Sequence, residues 1–480
     1  MKGLSNFING EFIPPSNNKY LDKYDPSTGE VCEKVPDSDP VDMVQAIAAA
    51  NKAFPSWSKL KARERADYLY RIADLIDERA DALAEAESRD TGKPLALAKE
   101  MDITRAALNF RFFAGQILHT SLQATDMDGE ALNYTLRLPL GVAGLISPWN
   151  LPLYLLTWKI APAIAVGNTT VCKPSEFTPT TATMLGEIFQ QVKLPDGVVN
   201  IVHGRGEGVG ATLVSHPGVH LISFTGGTAT GEKIQKMAAP LFKKVSLELG
   251  GKNATIILKD ANLDKIMPEI VRSSFLNQGQ ICLCGSKILV QEEIYEKFVT
   301  LFAQAVKAIK VGDRTEPGTY MGPLVSREQF SKVQSALAQA RKDSGKIVAG
   351  DEPLDLPSHL KGGYFMRPTV IRDLSNCSDL HQTEIFGPVV TVSSFKYPFD
   401  AIKWANNSPY GLAASIWTQD LSKAHKLARE VEAGTVWINT WLKRDLRMPF
   451  GGMKASGLGR EGGEHSLDFF TETKTVCVQL

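Results

Sequence analysis

From Leu138 to Trp158 the chain carries no charged residue for 21 positions. That length can reach across a bilayer, but its content argues against a membrane span. Pro139, Pro148 and Pro152 each remove a backbone donor and resist helix. Asn150 would be an unsatisfied amide in hydrocarbon. A polar group held in an apolar, proline-punctuated strand and loop is better suited to face a buried cleft. Ser147-Pro148-Trp149-Asn150-Leu151-Pro152 is therefore the first functional candidate.

At 480 residues the chain exceeds what one core supports, so two or three domains are expected. Lys plus Arg and Asp plus Glu are equal at 53 each, which leaves no electrostatic footprint for nucleic acid and no basic patch for a membrane surface. The residues after Met1 lack the apolar core of a signal peptide. Of six cysteines only Cys282 and Cys284 are close, and that pair lacks the second ligand pair of a structural zinc site, so no metal is expected. Free thiols in a reducing cytoplasm are the simplest expectation.

Asn9-Gly10 between apolar runs predicts a hairpin over Phe7 to Ile13. Leu69, Ile72, Ala73, Ile76, Ala80 and Leu83 share one face of a single long helix predicted over 62–89, which Gly92 and Pro94 end. A second helix is predicted over 96–114. From Val142 the pattern alternates strand and helix: strands at 142–146, 169–173, 198–202, 221–224 and 244–248, with helices at 155–165, 180–191 and through Met237. A second alternating series runs from Ala254 to about Asn439. Repeats of this length predict an α/β protein with mostly parallel, doubly wound sheets. Lys474–Leu480 reads as a strand with no sequence neighbour to pair with.

Several loops could carry chemistry. Gly206-Glu207-Gly208-Val209-Gly210-Ala211 formally matches a dinucleotide loop, but no acidic residue ends the next strand, and the residues alone favour a tight turn. Phe224-Thr225-Gly226-Gly227-Thr228 also joins strand to helix and suits close approach by a phosphate. Lys173 and Glu176, at and just past a strand's end, are placed like ribose-binding groups of a doubly wound sheet, though residue types alone favour a solvated loop carrying two surface charges. Cys282 follows the polar, Gly-containing turn Asn277-Gln278-Gly279-Gln280, a setting for a nucleophile rather than a core thiol. Glu248 is a lone carboxylate among apolar residues, either structurally paired or raised in pKa toward general-base duty.

Taken together, Pro148-Trp149-Asn150, Phe224-Thr225-Gly226, Leu247-Glu248-Leu249-Gly250-Gly251-Lys252, Asn277 through Cys282, Glu384-Ile385-Phe386-Gly387-Pro388 and Pro449-Phe450-Gly451-Gly452 resemble the NAD(P)-dependent aldehyde dehydrogenase superfamily over the whole chain. The resemblance implies a Rossmann-type NAD-binding domain (1–120 and 140–249), an α/β catalytic domain (250–448), and a small oligomerisation β-extension (121–139 and 466–480). It implies Cys282 as nucleophile, Glu248, 34 residues earlier, as general base, and Asn150 as oxyanion donor. The cofactor residues it implies are Ile146, Ser147, Pro148, Trp149, Lys173, Ser175, Glu176, Gly206, Gly210, Phe224, Thr225, Gly226, Gly227, Leu249, Glu384 and Phe386. NAD is expected over NADP because Glu176 would repel a 2′-phosphate. Lys159 and Glu472 resemble a proton-relay pair. Thr383 stands where many members carry a second acidic residue.

For the aldehyde itself, Arg105 and Arg444 occupy positions that are usually apolar in members acting on plain aldehydes. Two guanidinium forks there can clamp carboxylates. Alternatively, Lys443, Arg444 and Arg447 form a solvated run and Arg105 pairs with Asp102. These segments most resemble the branch acting on amino- or hydroxymuconic semialdehydes. A broad-specificity aldehyde dehydrogenase, a non-catalytic member and a cofactor-free thiol esterase are the competing readings. The unpaired terminal strand predicts pairing with a neighbouring subunit, giving a homodimer or homotetramer.

Overall fold

The structure, a computed structural model, describes residues 3–375 and 377–480. Two largely parallel sheets carry it. In the first, the strand order is Glu11–Ile13, Asn6–Ile8, Val199–Ile201, Thr169–Lys173, Val142–Ile146, Leu221–Thr225, Lys244–Glu248, Gly457–Leu458. Its five central strands are parallel and its edges antiparallel. Val142–Ile146, Thr169–Lys173 and Leu221–Thr225 are buried at every residue, as strands covered on both faces require. The hairpin forms as expected, with Asn9 and Gly10 both at positive φ.

The charge-free segment resolves into strand Val142–Ile146, a turn and helix Pro152–Ala165. Every residue of that helix except Leu155 is buried, which explains its apolar circumference. At about 21 Å it is also shorter than the ~30 Å hydrocarbon core. Among the described residues no helix is long and apolar enough to cross a membrane.

Two predicted helices differ in detail. The one over 62–89 is two, Ala62–Glu78 and Ala80–Thr91, broken at Arg79 (φ −98°, ψ 14°), although the apolar face continues across the break. The helix over 96–114 starts as a short α-helical stretch, Leu95–Leu97, passes through a π-helical turn, Ala98–Ile103, and continues as Thr104–Ile117. That turn directs Asp102 inward, where it is fully buried.

The second sheet runs Lys346–Ala349, Thr369–Arg372, Val389–Phe395, Lys287–Gln291, Ala254–Ile257, Ala413–Trp417, Thr435–Ile438 and is parallel apart from its first strand. Helices Leu263–Phe275 and Tyr295–Lys307 pack against it through Ile270, Phe275, Phe298 and Phe302.

The terminal strand corrects an expectation. Thr471–Gln479 pairs antiparallel, residue for residue, with Ala131–Pro139 of its own chain, and Ala124–Asp126 completes that three-stranded sheet. Its partner lies more than three hundred residues earlier, so no local signal could reveal it.

Candidate active site

Ile146, Lys173, Thr225 and Glu248 all end parallel strands of the first sheet, so their loops open on one crevice, where doubly wound sheets place ligands. From the second sheet's side, helix Leu263–Phe275 leads into a turn in which Asn277 (φ 52°), Gln278 (φ 58°) and Gly279 (φ 68°) are successively left-handed. Asn277 and Gln278, as non-glycine residues, store strain there and survive only when their surroundings hold them, whereas Gly279 adopts that conformation freely.

Hydrogen bonds from Asn277 Nδ2 to Asn150 O at 3.1 Å and from Gln278 Nε2 to Pro323 O at 3.0 Å hold these two residues, and further bonds fix the residues that follow. Asn253 Nδ2 donates to the carbonyls of Cys282 (2.7 Å) and Cys284 (2.9 Å). Trp441 Nε1 donates to Leu283 O at 2.9 Å. Asn150 Nδ2 donates to Gln280 O at 2.9 Å. Asn150 thus reaches the Cys282 turn from the first sheet, and the half-buried Cys282 stands where the two halves meet. Burial, then Glu384 and Glu248, push its thiol well above the ordinary value, while Arg444 opposes them.

Glu248 is buried, and its Oε1 has no hydrogen-bond partner. A Cβ at Gly451 would approach that oxygen to 2.8 Å, so bare backbone makes room for it. Burial, then the charge of Glu461, raise its pKa well above the carboxylate range, against Lys159, Arg444 and Arg460. A buried carboxylate with a raised pKa and an unsatisfied oxygen has the profile of a general base.

The proton-relay expectation needs correction. Lys159 is buried, and its Nζ lies 3.0 Å from Glu461 Oε1 and 2.9 Å from Ser223 Oγ. Glu472 points to the surface and pairs with Lys244 at 3.6 Å. The sequence signal for Glu461 was a carboxylate in Gly459-Arg460-Glu461, just beyond the Pro449–Gly452 motif.

A cleft of about 1080 Å³ is lined by Ile146, Glu176, Phe177, Gly206, Gly210 and Phe224, together with Tyr24 and Arg327. Lys173 Nζ lies 2.9 Å from Glu176 Oε2; Ser175 is buried beside them. Gly206–Gly210 is a π-helical turn opening helix Ala211–Ser215. Gly206 and Gly227 have nothing within 4 Å of a notional Cβ, leaving backbone open to a close-lying ligand. Gly226 is required by packing, because a Cβ would meet the Phe224 ring at 2.4 Å. Thr225 Oγ1 and Thr228 Oγ1 are buried without partners at the start of helix Thr228–Ala238, and a helix N-terminus favours phosphate. Leu249 is buried beneath Gly231. Outside that lining, Glu384 accepts from Gly251 N–H at 3.0 Å, and the Trp149 and Phe386 rings meet edge-on at 5.2 Å. Ser147 N–H bonds Lys173 O, tying the half-buried Pro148–Trp149 turn to the cleft. Open glycines, orphaned hydroxyls and a paired acidic residue fit a dinucleotide.

The sequence profile of the aldehyde dehydrogenase family matches residues 12–476. The chain belongs to the aldehyde dehydrogenase family. It is 51% identical over 479 residues, 99% of this chain and 98% of the relative, to a protein of Bos taurus named 2-aminomuconic semialdehyde dehydrogenase. It is 43% identical, with both chains covered completely, to one of Pseudomonas sp. (strain CF600) named 2-hydroxymuconic semialdehyde dehydrogenase. A Bacillus cereus aldehyde dehydrogenase solved as an NAD+ complex is 39% identical with a TM-score of 0.96, covering 100% of this chain and 97% of that one. This aldehyde dehydrogenase is accordingly an NAD(P)-dependent aldehyde-oxidising enzyme.

Arg105 and Arg444 converge. Arg105 lies over the Tyr154 and Trp158 rings, 5.0 and 5.3 Å from their centroids. Arg444 covers Phe450 at 3.6 Å and donates to Tyr154 Oη at 3.3 Å. Asp102, the alternative partner for Arg105, is instead bound by Lys93. Arg447 is exposed and pairs with Asp445, while Arg444 turns inward, so only part of that charge run is solvated. Among the described residues neither Arg105 nor Arg444 has a carboxylate partner within salt-bridge distance, and Arg105 Nη2 is buried with no hydrogen bond.

Proposed function

We propose that this enzyme oxidises a carboxylate-bearing semialdehyde, of the 2-aminomuconate or 2-hydroxymuconate 6-semialdehyde class, with NAD as the hydride acceptor. The observation that carries this is the pair Arg105 and Arg444, two cations without carboxylate partners facing the same aromatic residues. A substrate carboxylate is the missing counter-charge. Such charge-assisted bonds are each worth about 1.5–3 kcal/mol. The names carried by relatives at 51% and 43% identity support the same class.

In this reading the Cys282 thiolate attacks the aldehyde carbon. The Asn150 amide and the Cys282 backbone N–H donate to the oxyanion that forms, and losing one such donor costs roughly 10²–10³ in rate. Lys173, Ser175, Glu176, the Gly206–Gly210 turn, the Thr225–Gly227 loop, Glu384 and Phe386 would hold a nicotinamide dinucleotide, which would supply the acceptor for the hydride of the former aldehyde carbon. The sulfur is left holding a thioester. Glu248 takes a proton from water, the hydroxide adds to the acyl carbon, and the C–S bond breaks to release the acid. Lys159 with Glu461 takes the relay position next to Glu248. Glu176 hydrogen-bonds ribose hydroxyls and repels a 2′-phosphate, which favours NAD. The remaining expectations, cytoplasmic location and a homodimer or homotetramer built through 121–139 and 466–480, belong to the same proposal.

The test is a substrate panel, an acidic semialdehyde against a neutral aldehyde of similar length. Arg444 also stabilises the Cys282 thiolate, so Arg105→Ala is the cleaner variant. It is expected to lose on the order of 10–100-fold in kcat/KM on the acidic substrate and little on the neutral one. Equal loss on both removes the clamp.

A further inference from the structure

Lys93 and Asp102 form a fully buried ion pair, Nζ to Oδ2 2.8 Å, that no step above uses. Removing both charges from water is expensive, and an apolar pair of similar size often serves stability as well or better. The second contact of Lys93 suggests what the pair accomplishes: its Nζ also donates to the backbone carbonyl of Asn150 at 3.1 Å. The same carbonyl accepts from Asn277 Nδ2, again at 3.1 Å, and Asn277 Nδ2 reaches Gln280 O at 3.2 Å. Asn150 Nδ2 donates to Gln280 O. The residue that offers the oxyanion bond and the turn that presents Cys282 are therefore closed into one hydrogen-bonded ring, with Lys93 anchoring it from outside.

Local backbone delivers Lys93 to this point. Gly92 (φ +78°) ends helix Ala80–Thr91, and a Cβ there would meet Pro323 Cγ at 2.6 Å. Pro323 O accepts from Gln278 Nε2 at 3.0 Å, so the Gly92–Lys93 turn is wedged against the same segment that supports the nucleophile. The π-helical turn Ala98–Ile103 supplies Asp102, and such turns recur at functional sites. Glu87 fixes the far side of the Asn150 turn by accepting Leu153 N–H at 3.0 Å.

We infer that Lys93, oriented by Asp102, is a positioning residue for the reaction: it holds the Asn150 carbonyl and thereby sets the Asn150 amide at the separation from Cys282 that the oxyanion requires. Lys93 does not touch the substrate. A small displacement of a reacting group costs up to about 10²-fold in rate. The inference rests on Asn150 being the oxyanion donor.

A double-mutant cycle on the full-length, NAD-loaded enzyme tests it. Lys93→Met is expected to lower kcat by roughly 10²-fold, measured per accessible Cys282 thiol, with NAD affinity and the aldehyde KM little changed. In an Asn150→Ala background the same substitution is expected to cost less than about threefold, because the carbonyl that Lys93 holds remains but the side-chain amide it positions is gone. Equal losses in both backgrounds overturn the positioning role and leave Asn150 as donor. Wild-type kcat in Asn150→Ala overturns both. Asp102→Asn, which keeps Lys93 and nearly all the volume, runs through the same cycle and is read the same way should Lys93→Met fail to fold.

Discussion

Lys159 and Glu461 form a buried ion pair, Nζ to Oε1 3.0 Å, whose two charges act on Glu248 in opposite directions. Burial and Glu461 hold the Glu248 proton on; Lys159 draws it off. A general base must be ionised, so activity rises as pH climbs through the Glu248 pKa and is lost below it. Glu461→Gln removes the negative neighbour and leaves the positive one, so the acid limb of kcat is expected to move to lower pH. Lys159→Met is expected to move it higher. A pH–rate series on the two variants checks this, and shifts of the opposite sign contradict it.

The thiol makes a second prediction. Burial, Glu384 and Glu248 all disfavour the Cys282 thiolate. In the cofactor-free enzyme, alkylation by iodoacetamide is expected to titrate with a midpoint above the free-cysteine value of about 8.5. Glu248→Gln should lower that midpoint and Arg444→Ala should raise it. A wild-type midpoint below the free-cysteine value would show an activating group that the geometry lacks.

Cofactor choice is tested at Glu176, which lines the cleft 2.9 Å from Lys173 Nζ. Removing its charge in Glu176→Ser frees the ammonium for a phosphate. We expect kcat/KM for NADP to rise by about tenfold or more and that for NAD to fall. Unchanged preference places cofactor discrimination elsewhere.

Two glycines separate folding from binding. Gly279 is left-handed (φ +68°), and a Cβ there would lie 2.3 Å from Gly387 O. Gly279→Ala is expected to destabilise by more than about 1 kcal/mol, read as a lower Tm. A Cβ at Gly227 meets nothing. Gly227→Ala should keep its Tm yet bind NAD more weakly, as measured by fluorescence quenching. A lowered Tm there, with intact binding, contradicts the phosphate loop.

Much of this was legible in the residues. The parallel strands 142–146 and 169–172 announce themselves as apolar or β-branched runs between loops, and 244–248 as the alternation Lys-Val-Ser-Leu-Glu. Asn150 and Glu248 stand out as polar groups among apolar neighbours, and Cys282 as a thiol that follows a polar, Gly-containing turn. What escaped depends on distance or on subtle backbone geometry. The break at Arg79 leaves the apolar face intact, so periodicity cannot register it. The π-helical turn that directs Asp102 inward shifts the helix by a fraction of a turn. Glu472 and Glu461 are both carboxylates near the chain end, and only the fold decides which one meets Lys159. The terminal strand finds its mate across most of the chain.

The central step of the proposed reaction is the opening of a Cys282 thioester to water by Glu248. The most direct measurement is a single turnover of Glu248→Gln with NAD and aldehyde, followed at the NADH band and by intact-protein mass. One NADH per active thiol, then arrest, with the acyl mass retained on Cys282, is the predicted result. Sustained turnover at the wild-type rate, or no acyl adduct on Cys282, would contradict it.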